Sequence, residues 1–228
     1  MTVHPELKIY PTIDDLSNGA KNIFIDLLKT NGGNTFIVPG GKTPELFYQK
    51  LASEVKNWDN IALVLSDERV VNQNSKNSNY KMISKNLLQS IRGSCKPDFI
   101  PKIKKGSLLK SFNDFYKSVK PPKAAFLGIG ADGHTASLFS GIEDKFNAID
   151  PYFLLTRPNE NFSRISISAN ILMHIPNIIF LISGSSKKRI VKRLRDGSYK
   201  TGELPYEIII RQAKGKVIVL CDEESAAS

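Results

Sequence analysis

The stretch AAFLGIGADGHTASLF, residues 124–139, runs from a short apolar segment into a glycine-rich turn that carries an aspartate and a histidine. Residues 124–129 contain no charged side chain, which is typical of a strand buried on both faces of a sheet. The turn at residues 130–134 follows directly, and we expect TASLF after it to be helical. A doubly buried strand followed by a turn and a helix predicts an α/β protein with a parallel sheet.

The same alternation recurs along the chain. Six β-rich apolar runs lie at residues 35–38, 61–65, 124–129, 164–168, 178–183 and 217–221. Helix-like stretches lie between most of them, at residues 44–55, 77–91, 108–119 and 187–194. Short apolar strands that alternate with helices predict a mostly parallel sheet flanked by helices. No repeat, low-complexity tract or long linker divides the sequence, so we expect a single domain over residues 1–228.

Composition favours one globular domain in the cytoplasm. The 228 residues are 41% hydrophobic and 24% charged, which is enough apolar material to bury a substantial core. No apolar run is long enough to span a bilayer, and the polar first ten residues do not resemble a signal peptide. Cys95 and Cys221 lie far apart without metal-ligand spacing, which favours a reducing compartment. We therefore expect a cytoplasmic protein without a membrane partner.

The net charge of +10 raises the hypothesis of nucleic-acid binding. The cations are scattered, however, with modest clusters only around residues 102–105 and 187–189. No zinc-finger, RNA-recognition or basic-zipper pattern accompanies them. We therefore expect no nucleic-acid partner and interpret the charge as a means of steering a small anionic substrate.

Glycines or charged and polar residues follow four of the apolar runs, at the point where each run ends. In chain order they are Gly40 and Gly41, then Asp67 and Arg69, then Asp132 and His134, and finally Lys187. In open parallel sheets, ligands bind at the carboxyl ends of the strands. The sequence therefore predicts a site at this edge of the sheet.

The stretch IVPGGKTPELF, residues 37–47, contains Gly-Lys-Thr but is not a nucleotide-binding P-loop. That motif requires a second glycine five residues before Gly41, where this chain has Phe36. A tight turn at Gly40 would still let the backbone approach a phosphate, with Lys42 and Thr43 beside it. We also expect Thr43 to cap the helix that follows. The alternative is an ordinary strand–turn–helix corner that binds no ligand.

Asp132 and His134 are the strongest candidates for catalysis. Asp132 can hold the imidazole in one tautomer and leave its other nitrogen as a base. Arg69 is a candidate anion contact and Asp67 a candidate partner of a substrate hydroxyl. For these last two residues, a solvated charged turn is the alternative.

Arg164 and Lys187 each flank a predicted strand and are candidate phosphate ligands. The sequence shows no metal-ligand cluster and no G-x-S-x-G motif. We therefore expect no metal, no cofactor and no serine nucleophile.

Several segments together resemble the 6-phosphogluconolactonase family. They are, in order, PGGKTPELFYQKL, WDNIALVLSDERVV, NSNYKMISKNLL, FLGIGADGHTASLFSG, RISIS and FLISGSSKK. The pairing of GADGHTASLF with an upstream DER is the specific element. The resemblance implies a Rossmann-like domain of the deaminase/ribose-5-phosphate isomerase type. It also implies metal-free hydrolysis of 6-phospho-D-glucono-1,5-lactone to 6-phospho-D-gluconate in the oxidative pentose phosphate pathway. This chain departs from the family at Lys42, usually serine, and at Pro39, usually a small residue.

Two other functions remain as alternatives. The related glucosamine-6-phosphate deaminases typically contain DEY and DGHIAFNEP, where this chain has DER and DGHTASLF. They also have a catalytic glutamate at the position that Phe139 occupies in this chain. A sugar-phosphate-binding protein without activity would not need both Asp132 and His134. We therefore favour a lactonase in which His134 takes a proton from water and the water attacks the lactone carbonyl. Backbone N–H groups at the glycine turn or Arg69 would stabilise the oxyanion; the choice between them and the oligomeric state stay open.

Overall fold

A seven-stranded parallel sheet organises the computed structural model, which describes residues 4–91, 96–99 and 108–227. Its strands are β1 (Glu6–Tyr10), β2 (Asn34–Val38), β3 (Ile61–Leu65), β5 (Asp98–Phe99), β6 (Ala124–Gly128), β9 (Asn177–Ile182) and β10 (Lys216–Asp222). They lie in the order β1-β10-β9-β6-β2-β3-β5, and every neighbouring pair is parallel. The predicted mostly parallel sheet is therefore confirmed.

A second, three-stranded antiparallel sheet was not expected. It consists of β4 (Asp67–Arg69), β8 (Ser163–Ile167) and β7 (Tyr152–Thr156), in that order. One sequence prediction was wrong, since the run at 164–168 does not join the main sheet. The DER segment, for which a solvated charged turn was the alternative, is a short and mostly buried strand.

Helices cover the main sheet. They are α1 (Ile13–Leu28), α2 (Glu45–Glu54), α3 (Asn79–Ile83), α4 (Leu108–Ser118), α5 (Ala169–Met173), α6 (Lys188–Arg195), α7 (Pro205–Gln212) and α8 (Glu223–Ala226). The predicted helix at 77–91 is two pieces, since α3 continues as a π-helix over Ser84–Leu88. The helix α1 was not predicted, although Thr12 caps it by accepting from the Asp15 N–H at 3.1 Å. No helix within the described ranges is long and apolar enough to cross a membrane.

Two local predictions about turns were wrong. TASLF forms no helix, because Thr135 Oγ1 donates to the Gly128 carbonyl at 2.9 Å and Ala136 adopts a left-handed backbone with φ 50°. Thr43 does not cap α2, whose N-cap is Pro44 and lacks a side-chain cap bond. The helix begins at Glu45 instead, and its N–H donates to the Lys42 carbonyl at 3.1 Å. The cluster at residues 102–105, and Cys95, lie outside the described residues.

The hydrophobic core lies on both faces of the main sheet, as the doubly apolar strands require. At one face, Phe24 packs on Phe36 with 4.1 Å between the ring centroids, and Phe47 packs on Phe126 at 4.9 Å. All four side chains are fully buried. Complete burial of one such side chain contributes about 1.5–3 kcal/mol, so the sheet is a firm base for the loops at its carboxyl edge.

Candidate active site

Four neighbouring strands bring the predicted residues to one edge. The strands β9, β6, β2 and β3 are adjacent in that order and parallel, so their carboxyl ends lie side by side. The antiparallel sheet adds to the same region, because Arg69 in β4 is opposite Arg164 in β8. Three features therefore converge at this edge. They are the glycine turn after β2, the Asp132–His134 turn after β6, and the strands β4 and β8, which carry Arg69 and Arg164.

The turn after β6 holds Asp132 and His134 in direct contact. The imidazole Nδ1 lies 2.5 Å from Asp132 Oδ1, and the side chains are 32% and 54% exposed for His134 and Asp132. The hydrogen bond with His134 holds the pKa of the Asp132 carboxyl well below its usual range. An ionised Asp132 favours the tautomer with the proton on Nδ1, in which Nε2 is the acceptor. This is the arrangement that a general base needs.

Gly130 makes this contact possible. A Cβ atom at Gly130 would lie 2.1 Å from His134 Nδ1 and 2.5 Å from Asp132 Oδ1. The two side chains therefore fold over bare backbone, and the Gly130 N–H also donates to the His134 carbonyl at 2.8 Å. Any larger residue here would separate the pair or move the turn.

An aromatic ring lies behind the histidine. The Phe139 ring centroid lies 4.6 Å from that of His134, and the Arg157 guanidinium lies over the same ring at 4.0 Å. Phe139 is buried, so the imidazole packs against an apolar wall on that side. Phe139 has no ionisable group, so it cannot relay a proton as the glutamate expected at this position in a deaminase would.

Asp67 lies in the site but is fully engaged in hydrogen bonds. Its Oδ2 accepts from Ser137 Oγ at 2.6 Å, and its Oδ1 accepts from Asn79 Nδ2 at 3.2 Å and Ser66 Oγ at 3.3 Å. The residue is buried, at 6% exposure. A carboxylate held by three donors is better suited to orienting its neighbours than to taking a proton from water.

Arg164 is also engaged. Its Nε and Nη2 each lie 2.7 Å from the Glu160 carboxylate, in a bidentate pair, and its Nη1 lies 3.9 Å from Asp67 Oδ2. The hydrogen bond from Arg164 lowers the pKa of the Glu160 carboxyl. The guanidinium is buried between two carboxylates, so binding a phosphate would require it to leave Glu160 or to use Nη1 alone.

Arg69 is half-buried and partly available. Its Nη1 donates to Asn79 Oδ1 at 2.6 Å and to the Asn77 carbonyl at 3.1 Å. Its Nε is buried without a hydrogen-bond partner in the part of the chain that the structure describes. An unpaired buried donor is costly unless water or a ligand satisfies it, which favours an anion contact at Arg69.

Lys187 offers the least engaged positive charge. It ends a 3₁₀ turn, Ser185–Lys187, after β9, and within the described ranges its ammonium forms no hydrogen bond or ion pair. Burial lowers the pKa of Lys187, while attraction to Asp132 opposes that shift. A bound phosphate would restore the favourable charge environment that this half-buried ammonium lacks.

The glycine turn after β2 is open on one side. Gly41 and Lys42 are exposed, whereas Gly40 and Thr43 are half-buried. Tyr48 Oη donates to the Pro39 carbonyl at 2.6 Å, which anchors the start of the turn. The carbonyl of the unusual Pro39 is therefore occupied by a protein donor. Lys42 adds an exposed cation to the turn.

Sequence reasoning missed Asn79, Ser137 and Glu160. Asn79 and Ser137 occur within the segments NSNYKMISKNLL and FLGIGADGHTASLFSG, but no spacing rule connects either to Asp67. Glu160 lies in a connection between β7 and β8 that was not predicted. In the described part of the chain, no group of three or more His, Cys, Asp and Glu side chains is placed to hold a metal ion.

Comparisons with known proteins identify the family and the fold. The family model described as glucosamine-6-phosphate isomerases/6-phosphogluconolactonase matches residues 12–219. The 6-phosphogluconolactonase of Caulobacter vibrioides is 27% identical over 231 residues, which cover 96% of this chain and 97% of that protein. The 6-phosphogluconolactonase of Xylella fastidiosa is 32% identical over 184 residues, 75% of this chain and 76% of that one.

A solved structure agrees in fold. The 6-phosphogluconolactonase from Trypanosoma brucei superposes with a TM-score of 0.80 at 22% identity, over 99% of this chain and 98% of its own. The sequence matches extend over most of the chain and include both the glycine turn and the Asp132–His134 turn. The chain belongs to the glucosamine-6-phosphate isomerase/6-phosphogluconolactonase family.

Proposed function

We propose that the protein hydrolyses 6-phospho-D-glucono-1,5-lactone to 6-phospho-D-gluconate, as a 6-phosphogluconolactonase of the oxidative pentose phosphate pathway. The observation that carries the proposal is the Asp132–His134 contact of 2.5 Å at the carboxyl edge of the sheet. An ionised aspartate and a half-exposed imidazole make a base, and the Lys187 ammonium near Asp132, which has no hydrogen-bond or ion-pair partner among the described residues, provides a site for an anionic substrate. The names of the related proteins support the same reaction.

The reaction follows from the free nitrogen of His134. Nε2 accepts a proton from water while the water oxygen attacks C1 of the lactone, which produces a tetrahedral oxyanion. Collapse of that intermediate breaks the bond between C1 and the ring oxygen. The proton on Nε2 then passes to the ring oxygen, which becomes a hydroxyl of the product. The second proton of the attacking water stays on the new carboxyl group, which loses it to solvent to give the carboxylate product, so every proton is accounted for without a metal or cofactor.

We assign the remaining predicted residues by how far the protein already engages them. Lys187 and the turn at Gly40, Gly41, Lys42 and Thr43 are the proposed phosphate contacts, because Lys187 forms no hydrogen bond or ion pair within the described residues and because Gly41 and Lys42 are exposed. Arg69 is the proposed oxyanion contact, because its Nε has no partner among the described residues. Asp67 and Arg164 orient the site, and Arg164 contributes positive charge without being a primary phosphate ligand.

The wider assignments rest on the same family membership. We propose that residues 1–228 form a single domain of this type, since the described strands and helices share one hydrophobic core. We also place the enzyme in the cytoplasm, in line with the buried free thiol of Cys221. The net positive charge serves to attract the sugar phosphate, with no role in binding nucleic acid.

A pH-controlled lactonase assay tests the function. Opening of 6-phospho-D-glucono-1,5-lactone is measured as proton release and corrected for spontaneous hydrolysis, with glucosamine 6-phosphate tested in parallel. We expect rapid lactone opening and no ammonia above background, because Phe139 cannot relay a proton. Ammonia release at a rate comparable to lactone opening would identify a deaminase, and binding without turnover of either substrate would identify a sugar-phosphate-binding protein.

A further inference from the structure

Asn79 lies at the start of α3 and is 2% exposed, with all of its side-chain partners in the site. We propose that Asn79 is a positioning residue that keeps Asp67 and Arg69 in register with the glycine turn at Gly40. The inference rests on the proposed lactonase function and adds a residue that acts through others. It connects two strand ends that the sequence presents as separate motifs.

The amide of Asn79 joins an anion to a cation. Its Nδ2 donates to the Asp67 carbonyl at 2.8 Å and to Asp67 Oδ1 at 3.2 Å, while its Oδ1 accepts from Arg69 Nη1 at 2.6 Å. A carboxamide is the side chain of this size that offers both donors and an acceptor. Aspartate would repel Asp67, and an apolar residue would leave both partners without this bond. The amide therefore sets the position of the two charged side chains relative to each other.

The backbone of Asn79 is fixed independently by Glu68. The Asn79 N–H donates to Glu68 Oε1 at 2.8 Å, and the Tyr80 N–H donates to Oε2 at 2.7 Å. Glu68 is 5% exposed, and this burial raises the pKa of its carboxyl. Ser78 Oγ also donates to the same carboxylate, at 3.2 Å. Because the main chain is tied in place, the Asn79 amide cannot leave its partners by a shift of α3.

The third contact of the amide is with Gly40. A Cβ atom at Gly40 would lie 2.0 Å from Asn79 Oδ1, 2.1 Å from Cγ and 2.4 Å from Nδ2. These distances are far below any real contact, and the obstacle is a side chain held by three hydrogen bonds. Glycine at position 40 is thus required for the position of Asn79, besides any approach of the turn to phosphate. Gly40→Ala would act on Asp67 and Arg69 through Asn79.

A double-mutant cycle tests this coupling. Lactonase kcat and KM are measured for wild type, Gly40→Ala, Asn79→Ala and the double variant. A misplacement of about 1 Å in a site can cost roughly 10²-fold in rate, so we expect each single variant to lose about 10–100-fold in kcat/KM. The double variant should be no worse than the poorer single variant, because the Asn79→Ala substitution removes the amide that the new Cβ would meet. Losses that multiply would show that Gly40 and Asn79 act separately and would overturn the inference.

A matched control separates positioning from stability. Asn86 is also buried, accepts from Gln49 Nε2 at 2.8 Å and donates to the Met82 carbonyl at 3.0 Å, away from the site. Asn86→Ala should lower Tm to an extent similar to Asn79→Ala and leave kcat/KM within about twofold of wild type. An equal loss of activity in both variants would reduce the role of Asn79 to stability and overturn the inference.

Arg69 provides the readout that a purely structural role would not move. In an Arg69→Met background, Asn79→Ala should cost much less kcat than in wild type, because the guanidinium that Asn79 is proposed to position at the oxyanion is already absent. A full additional loss would contradict action through Arg69. If wild type opened no lactone, the proposed function would fail, whereas non-additive Tm changes in the Gly40 and Asn79 cycle would still support the contact between them.

Discussion

The Asp132–His134 turn and the Asp67–Asn79–Arg164 cluster lie at the same edge of the sheet, yet their polar groups are used differently. The turn is half-exposed, and its pair leaves Nε2 of His134 as an acceptor. The cluster is buried, and both oxygens of Asp67 and three nitrogens of Arg164 are in contact with protein groups. The turn leaves one imidazole nitrogen available for substrate, whereas the hydrogen bonds of the cluster hold its own side chains in position.

This difference teaches which residues to associate with chemistry. A group saturated by protein partners has little left for substrate, while burial without a partner is unfavourable until a ligand arrives. By that criterion, we expect His134 and Lys187 to contact the substrate. Arg164 belongs to the framework, meaning the side chains that hold the site in position. Arg69 stands between them, because its Nη1 is bonded and its Nε has no partner within the described residues.

The largest expected effect is at His134. His134→Asn keeps a side chain of similar reach but removes the proton acceptor, so kcat should fall by about 10²–10⁴-fold. Binding of 6-phosphogluconate should change little, because the proposed phosphate contacts come from other loops. Steady-state kinetics and product titration measure the two effects. A near-normal kcat would make the histidine structural and direct the search for a base to Asp67 or Glu68.

Asp132→Asn should have an intermediate effect. It removes the negative charge that fixes the proton on Nδ1, but it leaves the imidazole in place, so we expect kcat to fall by about 10–100-fold. The measurement is kcat for the variant beside His134→Asn. A double variant no slower than His134→Asn alone would show that Asp132 acts through the histidine. Multiplied losses would indicate an independent role.

Lys187→Met tests the proposed phosphate contact of a cation that forms no hydrogen bond or ion pair with the described residues. One charge-assisted bond to phosphate contributes about 1.5–3 kcal/mol, so KM for the phosphorylated lactone should rise roughly 10–100-fold with little change in kcat. Unphosphorylated gluconolactone should be affected much less. Lys214→Met removes the same charge at an exposed position before the start of β10, the opposite edge of the sheet, and should leave KM unchanged. Equal losses on both substrates would exclude Lys187 as a phosphate contact.

The smallest expected effect concerns the framework and is seen in stability. Glu160→Gln breaks the bidentate pair with buried Arg164, so it should lower the free energy of unfolding by about 1–3 kcal/mol at neutral pH. The folded-state pKa of Glu160 is lowered from 4.5, so its stabilisation is present above that value and is lost as pH falls through the lower folded-state pKa. Urea titrations of wild type and variant should therefore converge in acid.

An exposed pair gives the control for that measurement. Asp26→Asn breaks a contact of 2.8 Å with Lys29 in which both side chains are largely exposed, and it should change stability by less than about 1 kcal/mol at any pH. A Glu160→Gln effect no larger than this, or one independent of pH, would contradict the assignment of Arg164 and Glu160 to the framework.

The sequence by itself determined five of the seven strands of the main sheet, all but β1 and β5, and pointed to the candidate catalytic turn. The strand at 61–65 was placed to the residue, and the runs at 35–38, 124–129, 178–183 and 217–221 were placed within one residue at each end. Uninterrupted apolar runs are a local signal, and a doubly covered parallel strand is the structure that requires them. Asp132 and His134 are two residues apart, so their contact also depends on local geometry, with Gly130 beneath them.

Only the tertiary structure decided which charged side chains have protein partners and which remain available for substrate. Asp67 and Arg164 are 97 positions apart in sequence, and they meet because β4 pairs with β8. Packing of α3 against the turn after β2 places Asn79 on Gly40 in the same way. Such contacts depend on register between distant segments, and a single sequence encodes that register only through the complete fold.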